Sequence, residues 1–290
     1  DLTASITVAG SVDAAKPGTY TLTYTVKDGS GNEGSAARKV TVADTTAPVL
    51  ALKGDADATH EGGTAYTDAG ATATDSFEGD LAASIKVTGN VDTSKLGEYT
   101  LTYNVSDSSG NAATAITRKV TVVDTAGPSI TLAGEAAITL EAGATFTDPG
   151  ATAADSVDGD LSAKISVTGA VDTATLGTYT VTYEVADAQG NKASTTRTVT
   201  VVDTTAPVLT LQGDAAVTHE GGTAYNDAGA TVSDVAEAGV KVVTGGSVDT
   251  AKLGEYTLTY DATDASGNKA TQLTRKVTVV DTTAPTLVLK

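Results

Sequence analysis

The sequence predicts an all-β protein built from small two-sheet sandwiches arranged in tandem. Three observations support this fold class. Short motifs recur at a nearly constant interval along the 290 residues. Apolar and polar residues alternate over segments of strand length, and no segment shows the apolar spacing of a helix. Gly- and Asp-rich turns follow one another every 8 to 12 residues or so, which is typical of a sandwich or barrel.

The repeat is marked first by the linker motif Asp-Thr-Thr-Ala-Pro. It starts at Asp44, Asp203 and Asp281, and a variant starts at Asp124, so the intervals are 80, 79 and 78 residues. The motifs Gly-x-Tyr-Thr-(Leu/Val)-Thr-Tyr and Asp-x-x-Gly-Asn keep the same phase. Such self-similarity indicates an array of structural units. We predict complete repeats at 44–123, 124–202 and 203–280, the C-terminal part of a repeat at 1–43 and the first strand of a further repeat at 281–290. We expect the chain to be a window of a longer array.

Alternation predicts the strands of each repeat. Tyr99, Leu101, Tyr103 and Val105 are apolar and their neighbours are polar, which indicates a half-buried strand. Turns bound each such segment, and a complete repeat is therefore expected to hold seven strands. In the repeat 44–123 we place them near 48–53, 57–61, 65–74, 84–89, 91–94, 98–107 and 112–123.

The segment Lys95-Leu-Gly-Glu-Tyr99-Thr-Leu101 resembles the Asp-x-Gly-x-Tyr-x-Cys signature of immunoglobulin strand F. The resemblance implies a tyrosine corner at Tyr99, and it places Leu101, Val181 and Leu258 where an immunoglobulin domain has a disulfide cysteine. With the DTTAP, EGGTAYTDAGATATDSFEGDL, GEYTLTY and DSSGN blocks in shared order, the chain resembles the bacterial immunoglobulin-like domains of surface proteins. These are akin to the hyalin-repeat and cadherin-like modules of large adhesins.

Composition excludes several classes of function. The chain has 18 basic and 36 acidic residues, a net charge of −18, no cysteine and two histidines. It therefore lacks the basic surface of a nucleic-acid-binding protein, a disulfide scaffold, a thiol nucleophile and the ligands of a zinc site. No apolar run reaches membrane-spanning length. No Ser–His–Asp set repeats, and we expect no enzyme activity.

Part of the acidic excess recurs at fixed positions where the predicted strand directions bring loops together. The linker Asp, the Asp-x-x-(Asp/Glu)-Gly-Asp loop and the Asp of Asp-x-x-Gly-Asn should meet at one pole of each repeat, and Glu61 of the preceding repeat is a further candidate. Neighbouring carboxylates repel one another unless a cation lies between them. Oxygen ligands without His or Cys favour Ca²⁺ or Mg²⁺, and irregular loop cages favour Ca²⁺.

We therefore predict calcium sites at the junctions. Their candidate ligands are Asp44, Asp75, Glu78, Asp80, Asp107, Asp124, Asp155, Asp158, Asp160, Asp187, Asp203, Asp234 and Asp264. The alternative is a purely structural role, in which the Asp-x-x-Gly-Asn segments are hairpin turns whose Asp caps backbone N–H groups. The repeat 203–280, which is the fourth when the partial repeat 1–43 is counted, departs from the loop pattern. Its segment Asp234-Val-Ala-Glu237-Ala-Gly lacks the last Asp and is shorter. Its site should be the weakest.

The function predicted from these features is a non-catalytic spacer or stalk. By the resemblance, it belongs to a bacterial adhesin-type protein, lies outside the cell or on its surface, and is stiffened by calcium at its joints. Its partners are then the neighbouring repeats of the same chain, with no nucleic acid and no membrane insertion. Two alternatives remain open: a filament in which copies of the chain assemble through their repeats, and a module that binds a glycan or a protein.

Overall fold

The computed structural model describes residues 1–288 and is made almost entirely of β-strands. It divides into two compact units, Asp1–Ala126 and Gly127–Lys290. The 3₁₀ turns are short, at Thr3–Ser5, Ala82–Ser84 and Ser162–Lys164. Within the described residues, no helix has the length and apolar character needed to cross a membrane.

The first unit contains ten strands, all within the described part of the chain. They are β1 (Thr7–Ala9), β2 (Gly18–Lys27), β3 (Glu33–Val42), β4 (Val49–Leu52), β5 (Asp57–Glu61), β6 (Ala71–Asp75), β7 (Gly79–Asp80), β8 (Lys86–Thr88), β9 (Gly97–Asn104) and β10 (Ile116–Val123). The sheets have the orders β1-β2-β3, β4-β6-β7 and β5-β10-β9-β8. The last two face each other in the repeat 44–123.

The second unit contains thirteen strands within residues 127–288. They are β11 (Ser129–Leu132), β12 (Ala137–Glu141), β13 (Ala151–Asp155), β14 (Gly159–Asp160), β15 (Ser166–Thr168), β16 (Gly177–Ala186), β17 (Lys192–Val202), β18 (Val208–Leu211), β19 (Ala216–Glu220), β20 (Ala230–Ser233), β21 (Val242–Gly245), β22 (Gly254–Ala262) and β23 (Leu273–Val280). The sheets are β11-β13-β14, β12-β17-β16-β15, β18-β20 and β19-β23-β22-β21.

The core of each complete repeat lies between its two sheets. In the repeat 44–123, Leu101 and Tyr103 of β9 pack against Ala71 of β6, as alternation predicts. In the repeat 124–202, Val185 packs against Ala153 and Leu161. The equivalent side chains of β2, such as Tyr24, are only half-buried, because no second sheet covers them in residues 1–43. The all-β sandwich fold and its tandem repetition are confirmed.

The strands of the repeat 44–123 differ from the prediction in three places, one of which is the strand predicted at 112–123, since β10 begins only at Ile116. Seven strands are present in this fully described segment, but the strand predicted at 91–94 is wrong, because the Asp92 carboxylate accepts the Ser94 N–H (3.1 Å) and closes a turn. The seventh strand is instead the two-residue β7. The long strand predicted at 65–74 begins only at Ala71. The repeat 203–280 has six strands among its described residues, because its shorter loop leaves no counterpart of β7.

The tyrosine corner implied by the resemblance is present. The Tyr99 hydroxyl donates to the Lys95 carbonyl at 2.8 Å, and Tyr20, Tyr179 and Tyr256 make the same contact four residues back. Leu101 is 5% exposed and belongs to the core. An apolar contact therefore stands where an immunoglobulin domain has a disulfide.

A buried ion pair that sequence reasoning missed lies across the core. Arg118 is 2% exposed, pairs with Asp68 and donates through Nε to the Asp55 carbonyl at 2.9 Å. The Tyr103 hydroxyl also donates to Asp68, at 2.7 Å. Arg275, Asp227 and Tyr260 repeat this arrangement. The signal was available in the sequence, since Arg118 occupies the inward phase of β10 beside Ile116 and Val120.

Residues 281–288, at the C-terminal end of the described chain, form no strand. Residues 289 and 290, the last part of the strand predicted at 281–290, lie outside the described residues.

Candidate metal centre

Three aspartates of the first unit come together beyond the ends of their strands. One carboxylate oxygen from each of Asp44, Asp75 and Asp107 lies within 4.8 Å of the other two. Their exposed fractions are 9%, 7% and 8%. Asp75 continues the inward alternation of β6, and Asp107 continues that of β9. Because both strands run towards the same pole, their inward-facing series end in carboxylates above the core.

In the carboxylates of Asp44 and Asp75, one oxygen accepts backbone hydrogen bonds and the other has no hydrogen-bond donor among the described residues. Asp44 Oδ1 accepts the Thr46 N–H at 3.0 Å, and Asp75 Oδ1 accepts the N–H of Phe77 at 2.7 Å and of Glu78 at 3.0 Å. Within the described residues, both Oδ2 atoms are buried and accept no hydrogen bond. A buried oxygen without a donor is costly, and a hard cation would satisfy two such oxygens at once.

Asp107 is held by the turn that follows it. Asn111 donates its backbone N–H to Asp107 Oδ1 and its side-chain amide to Oδ2, both at 2.7 Å. Burial raises the pKa of Asp107, but the hydrogen bonds from Asn111, Gly110 and Ser109 together outweigh it and keep that pKa below the ordinary value. The same amide of Asn111 donates to the Asp44 carbonyl at 3.2 Å, so the turn is also tied to the linker.

The structure gives the other acidic residues of this loop separate contacts. Glu78 Oε1 accepts the Ser108 N–H at 2.9 Å, which joins the loop to the Asp107 turn. Asp80 is exposed, and its Oδ1 accepts the Ala82 N–H at 2.9 Å at the start of the 3₁₀ turn. Neither belongs to the three-carboxylate group. The acidic loop thus contributes one carboxylate oxygen to the three-carboxylate group and two structural contacts.

The second unit repeats these placements in part. One carboxylate oxygen of Asp155 lies within 4.8 Å of one carboxylate oxygen of Asp187. Asp158 accepts the Ala188 N–H at 2.6 Å, and Asp160 accepts the Ser162 N–H at 2.9 Å, as Glu78 and Asp80 do for their neighbours. Asp124 lies in the first unit, directly after β10.

The fourth repeat does not form the same group. Among residues 1–288, no oxygens of Asp203, Asp234 and Asp264 come within 4.8 Å of one another as a set of three. Asp234 keeps its anchoring contacts, since Oδ1 accepts the Ala236 and Glu237 N–H groups at 2.8 Å. Glu237 accepts the Ala265 N–H at 2.6 Å. The individual carboxylates therefore resemble those of the second repeat, but their convergence differs.

Glu61 lies against the next linker rather than in the carboxylate group. It accepts the N–H groups of Thr125 and Ala126, both in the first unit. The histidines stand apart as well: His60 contacts Thr64 and stacks edge-on with Tyr66. The oxygen-only donor set of Asp44, Asp75 and Asp107 fits Ca²⁺ better than a metal that prefers nitrogen or sulfur.

Comparison with known proteins identifies the repeats. A family model described as "Bacterial surface protein, Ig-like domain" matches residues 1–42, 50–122, 130–201 and 209–279. Hyalin of the sea urchin Strongylocentrotus purpuratus is 31% identical over 92% of this chain and 24% of that protein. The pesticidal crystal protein Cry22Aa of Bacillus thuringiensis is 32% identical over 92% of this chain and 38% of that protein. Internalin I of Listeria monocytogenes is 28% identical over 93% of this chain and 16% of that protein.

The chain therefore spans much less than two thirds of the length of these relatives. Among solved structures, a protocadherin gammaB7 fragment covers 97% of this chain and 91% of its own length, at 12% identity and a TM-score of 0.34. The four family matches, which together cover most of the sequence, carry the assignment. This chain belongs to the family of Ig-like domains of bacterial surface proteins and contains that domain in four consecutive matches.

Proposed function

We propose that the chain is a non-catalytic extracellular spacer of a bacterial adhesin-type surface protein. In this proposal Ca²⁺ bound by Asp44, Asp75 and Asp107 stiffens the joint at which the repeat 44–123 begins. Membership of a bacterial surface family supports the location and the structural role. The repetition of one sandwich along the described residues supports a spacer.

The observation that carries the calcium proposal is the pair of unpartnered oxygens. Asp44 Oδ2 and Asp75 Oδ2 are buried and have no hydrogen-bond donor in the described residues, although backbone N–H groups fix the other oxygen of each carboxylate. Asp44 belongs to the linker, whereas Asp75 and Asp107 belong to the sandwich that follows it. A bound cation would supply positive charge to all three carboxylates, and the chain's own hydrogen bonds would hold those ligands in place.

We further propose that 44–123, 124–202 and 203–280 each fold as a separate domain. Their partners are then the adjacent repeats of the same chain. The family matches fall within these ranges, and each range contains its own pair of sheets among the described residues. Linkers of the Asp-Thr-Thr-Ala-Pro type are short and contain a proline, which limits their freedom.

Calcium binding to the full chain tests the proposal, with a matched pair of variants. Asp75→Asn removes a carboxylate of the three-aspartate group, and Asp80→Asn removes an exposed carboxylate of the same loop. Isothermal titration and thermal unfolding in calcium and in EDTA should show that calcium raises Tm in the parent chain. Ligand at 100 times its Kd stabilises by about 2.7 kcal/mol. Asp80→Asn should retain the response, and Asp75→Asn should lose the part due to this site.

Equal calcium responses in the two variants, or no binding by the parent chain, would overturn the calcium proposal and leave the fold intact. Sedimentation of the parent chain tests the spacer role separately. A monodisperse monomer is expected, whereas concentration-dependent fibres would favour the filament alternative. Selective binding on a glycan array would favour a binding module.

A further inference from the structure

Three glutamates occupy the same place in the three complete repeats. Glu61, Glu141 and Glu220 are the last residues of β5, β12 and β19. Each of these strands pairs in parallel with the last strand of its own repeat. The glutamates are in register with Val123, Val202 and Val280, the final residues of β10, β17 and β23.

Because the pairing is parallel, the register places each glutamate beside the exit of the chain from its repeat. Because both strands run in the same direction, they end together where the chain leaves the repeat and enters the linker. The next backbone N–H extends the pairing, as when Ala142 donates to the Val202 carbonyl at 2.8 Å. A glutamate side chain at this position can therefore reach the residues that follow the last strand. An antiparallel partner would place the glutamate at the opposite pole.

The contacts at Glu141 show what the carboxylate does there. Oε1 accepts the Thr204 N–H at 2.7 Å and the Thr205 hydroxyl at 2.7 Å, and Oε2 accepts the Thr204 hydroxyl at 2.8 Å. Linker residues outside a sheet have no strand partner for their N–H groups, so this carboxylate provides a partner that secondary structure does not. The bonds are charge-assisted and engage both carboxylate oxygens.

The other two glutamates bind the equivalent linker residues. Glu61 accepts the N–H groups of Thr125 at 2.8 Å and Ala126 at 3.0 Å. Glu220 accepts from the N–H and hydroxyl groups of Thr282 and Thr283 at 2.6 to 3.1 Å. The three contacts therefore persist although the third residue of the linker motif is Ala in one case and Thr in two.

We infer that Glu61, Glu141 and Glu220 are positioning residues that fix the direction in which the chain leaves each repeat, and that they do so without a bound cation. Backbone N–H and hydroxyl groups donate to the carboxylates of all three glutamates, and none of these glutamates belongs to a three-carboxylate group in the described residues. The inference deepens the proposed spacer function and rests on it for its purpose. It adds a cation-independent contribution to joint stiffness beside the calcium contribution.

The linker after Glu141 is also held from its other side. The Asn268 side-chain amide of the repeat 203–280 donates to the Asp203 carbonyl at 3.2 Å. The linker therefore has one anchor on each of the two repeats it joins, both in the second unit. Each Thr-Glu bond acts on the ionised carboxylate. In agreement, the pKa of Glu141 is lowered by these hydrogen bonds, most by the N–H of Thr204 and then by the hydroxyls of Thr205 and Thr204.

The joint between repeats 124–202 and 203–280 provides the test. The chain has no cysteine, so cysteines placed at exposed Ser166 and Thr244 can carry one spin label each. Pulsed dipolar spectroscopy on the full chain then gives the distribution of distances between the two repeats. All samples contain EDTA, so that failure of the calcium proposal does not affect the outcome. Glu135→Ala, at an exposed position before β12 in the same repeat, is the matched control.

Glu141→Ala should broaden the distance distribution about twofold, because loss of the carboxylate frees the linker N–H and hydroxyl groups. Glu141→Gln should fall between Glu141→Ala and the parent, and Glu135→Ala should match the parent. Thermal unfolding of each variant distinguishes a loosened joint from a destabilised repeat. If Glu141→Ala is unfolded, the width of the distance distribution in Glu141→Gln tests the inference instead. A distribution in the folded Glu141 variant as narrow as in the parent would overturn the inference.

Discussion

The acidic loops of the repeats 44–123 and 203–280 begin at equivalent aspartates, Asp75 and Asp234, but differ in length and in the convergence of their carboxylates. In the first, Asp75 converges with Asp44 and Asp107, and its loop continues through β7 and a 3₁₀ turn. In the second, Asp234 has the same backbone contacts, but the loop is two residues shorter and the three carboxylates do not converge. Matching aspartates therefore do not by themselves bring three carboxylates together, and the two repeats differ in the length of the loop.

The largest expected effect concerns the framework that both repeats share. Arg118→Ala leaves the Asp68 carboxylate partly buried without its cation, and Arg275→Ala does the same to Asp227. Breaking such a pair costs about 3–5 kcal/mol. Chemical denaturation should show similar losses in the two variants, each confined to its own repeat. Arg38→Ala, at an exposed position in residues 1–43, should change little. A much smaller loss in one variant would mean that the two cores are not equivalent.

A loop exchange tests what separates the two repeats. Replacing residues 234–242 with the eleven residues of 75–85 gives the fourth repeat the longer acidic loop. The exchange should create a calcium response, worth about 2.7 kcal/mol at 100 times the Kd. Calcium-dependent thermal unfolding of the full chain measures it. The same exchange carrying Asn in place of the first Asp serves as control. No gain over that control would show that loop length does not determine convergence.

Alkaline pH should affect the shared framework in both repeats. Burial, followed by the hydrogen bond to the neighbouring aspartate, raises the pKa of Tyr103 and of Tyr260 to about 12. The folded state thus favours neutral tyrosine, so this stability is complete below the unfolded pKa of about 10 and is lost as pH rises towards 12. Tyrosinate absorbance should show these groups ionising only as the chain unfolds. Ionisation of all tyrosines near pH 10, before unfolding, would contradict the prediction.

The smallest effect should come from the exposed ion pairs on the outer sheet faces. Lys119 pairs with Glu98 at 2.7 Å, and Lys276 with Glu255 at 3.1 Å, whereas the repeat 124–202 has Thr198 and Thr178 there. Exposed pairs contribute about 0.2–1 kcal/mol. Lys119→Thr and Lys276→Thr should therefore lower the free energy of unfolding only slightly, and less in high salt. Losses above about 2 kcal/mol would show that these pairs are coupled to the core.

The sequence predicted the parts of the fold that depend on periodicity. Strands β5, β9 and β10 follow from alternation, and Tyr99 follows from the resemblance to strand F. The strand predicted at 91–94 is wrong because an Asp92 side-chain bond outweighs the β propensity of Val91. Arg118 was missed because a charged residue in the inward phase is buried only if Asp68 meets it, and that contact spans 50 residues.

The candidate site was predictable in its location but not in its membership. Strand direction brings Asp44, Asp75 and Asp107 to one pole, whereas spacing alone does not separate Asp75 from Asp80 in the same loop. Their difference is one of phase, since Asp75 continues the inward side of β6 and Asp80 is exposed. Which oxygen each backbone N–H engages depends on the folded loop and has no counterpart in the residue pattern.

The most direct test of the proposed calcium site compares Asp107→Asn with Asp264→Asn, the same turn position in the repeats 44–123 and 203–280. Calcium titration of each full-length variant measures the heat of binding and the rise in Tm relative to the parent chain. We expect that Asp107→Asn removes a calcium-binding step, whereas Asp264→Asn leaves the binding isotherm unchanged. Identical isotherms for the two variants, or loss only in Asp264→Asn, would contradict this expectation.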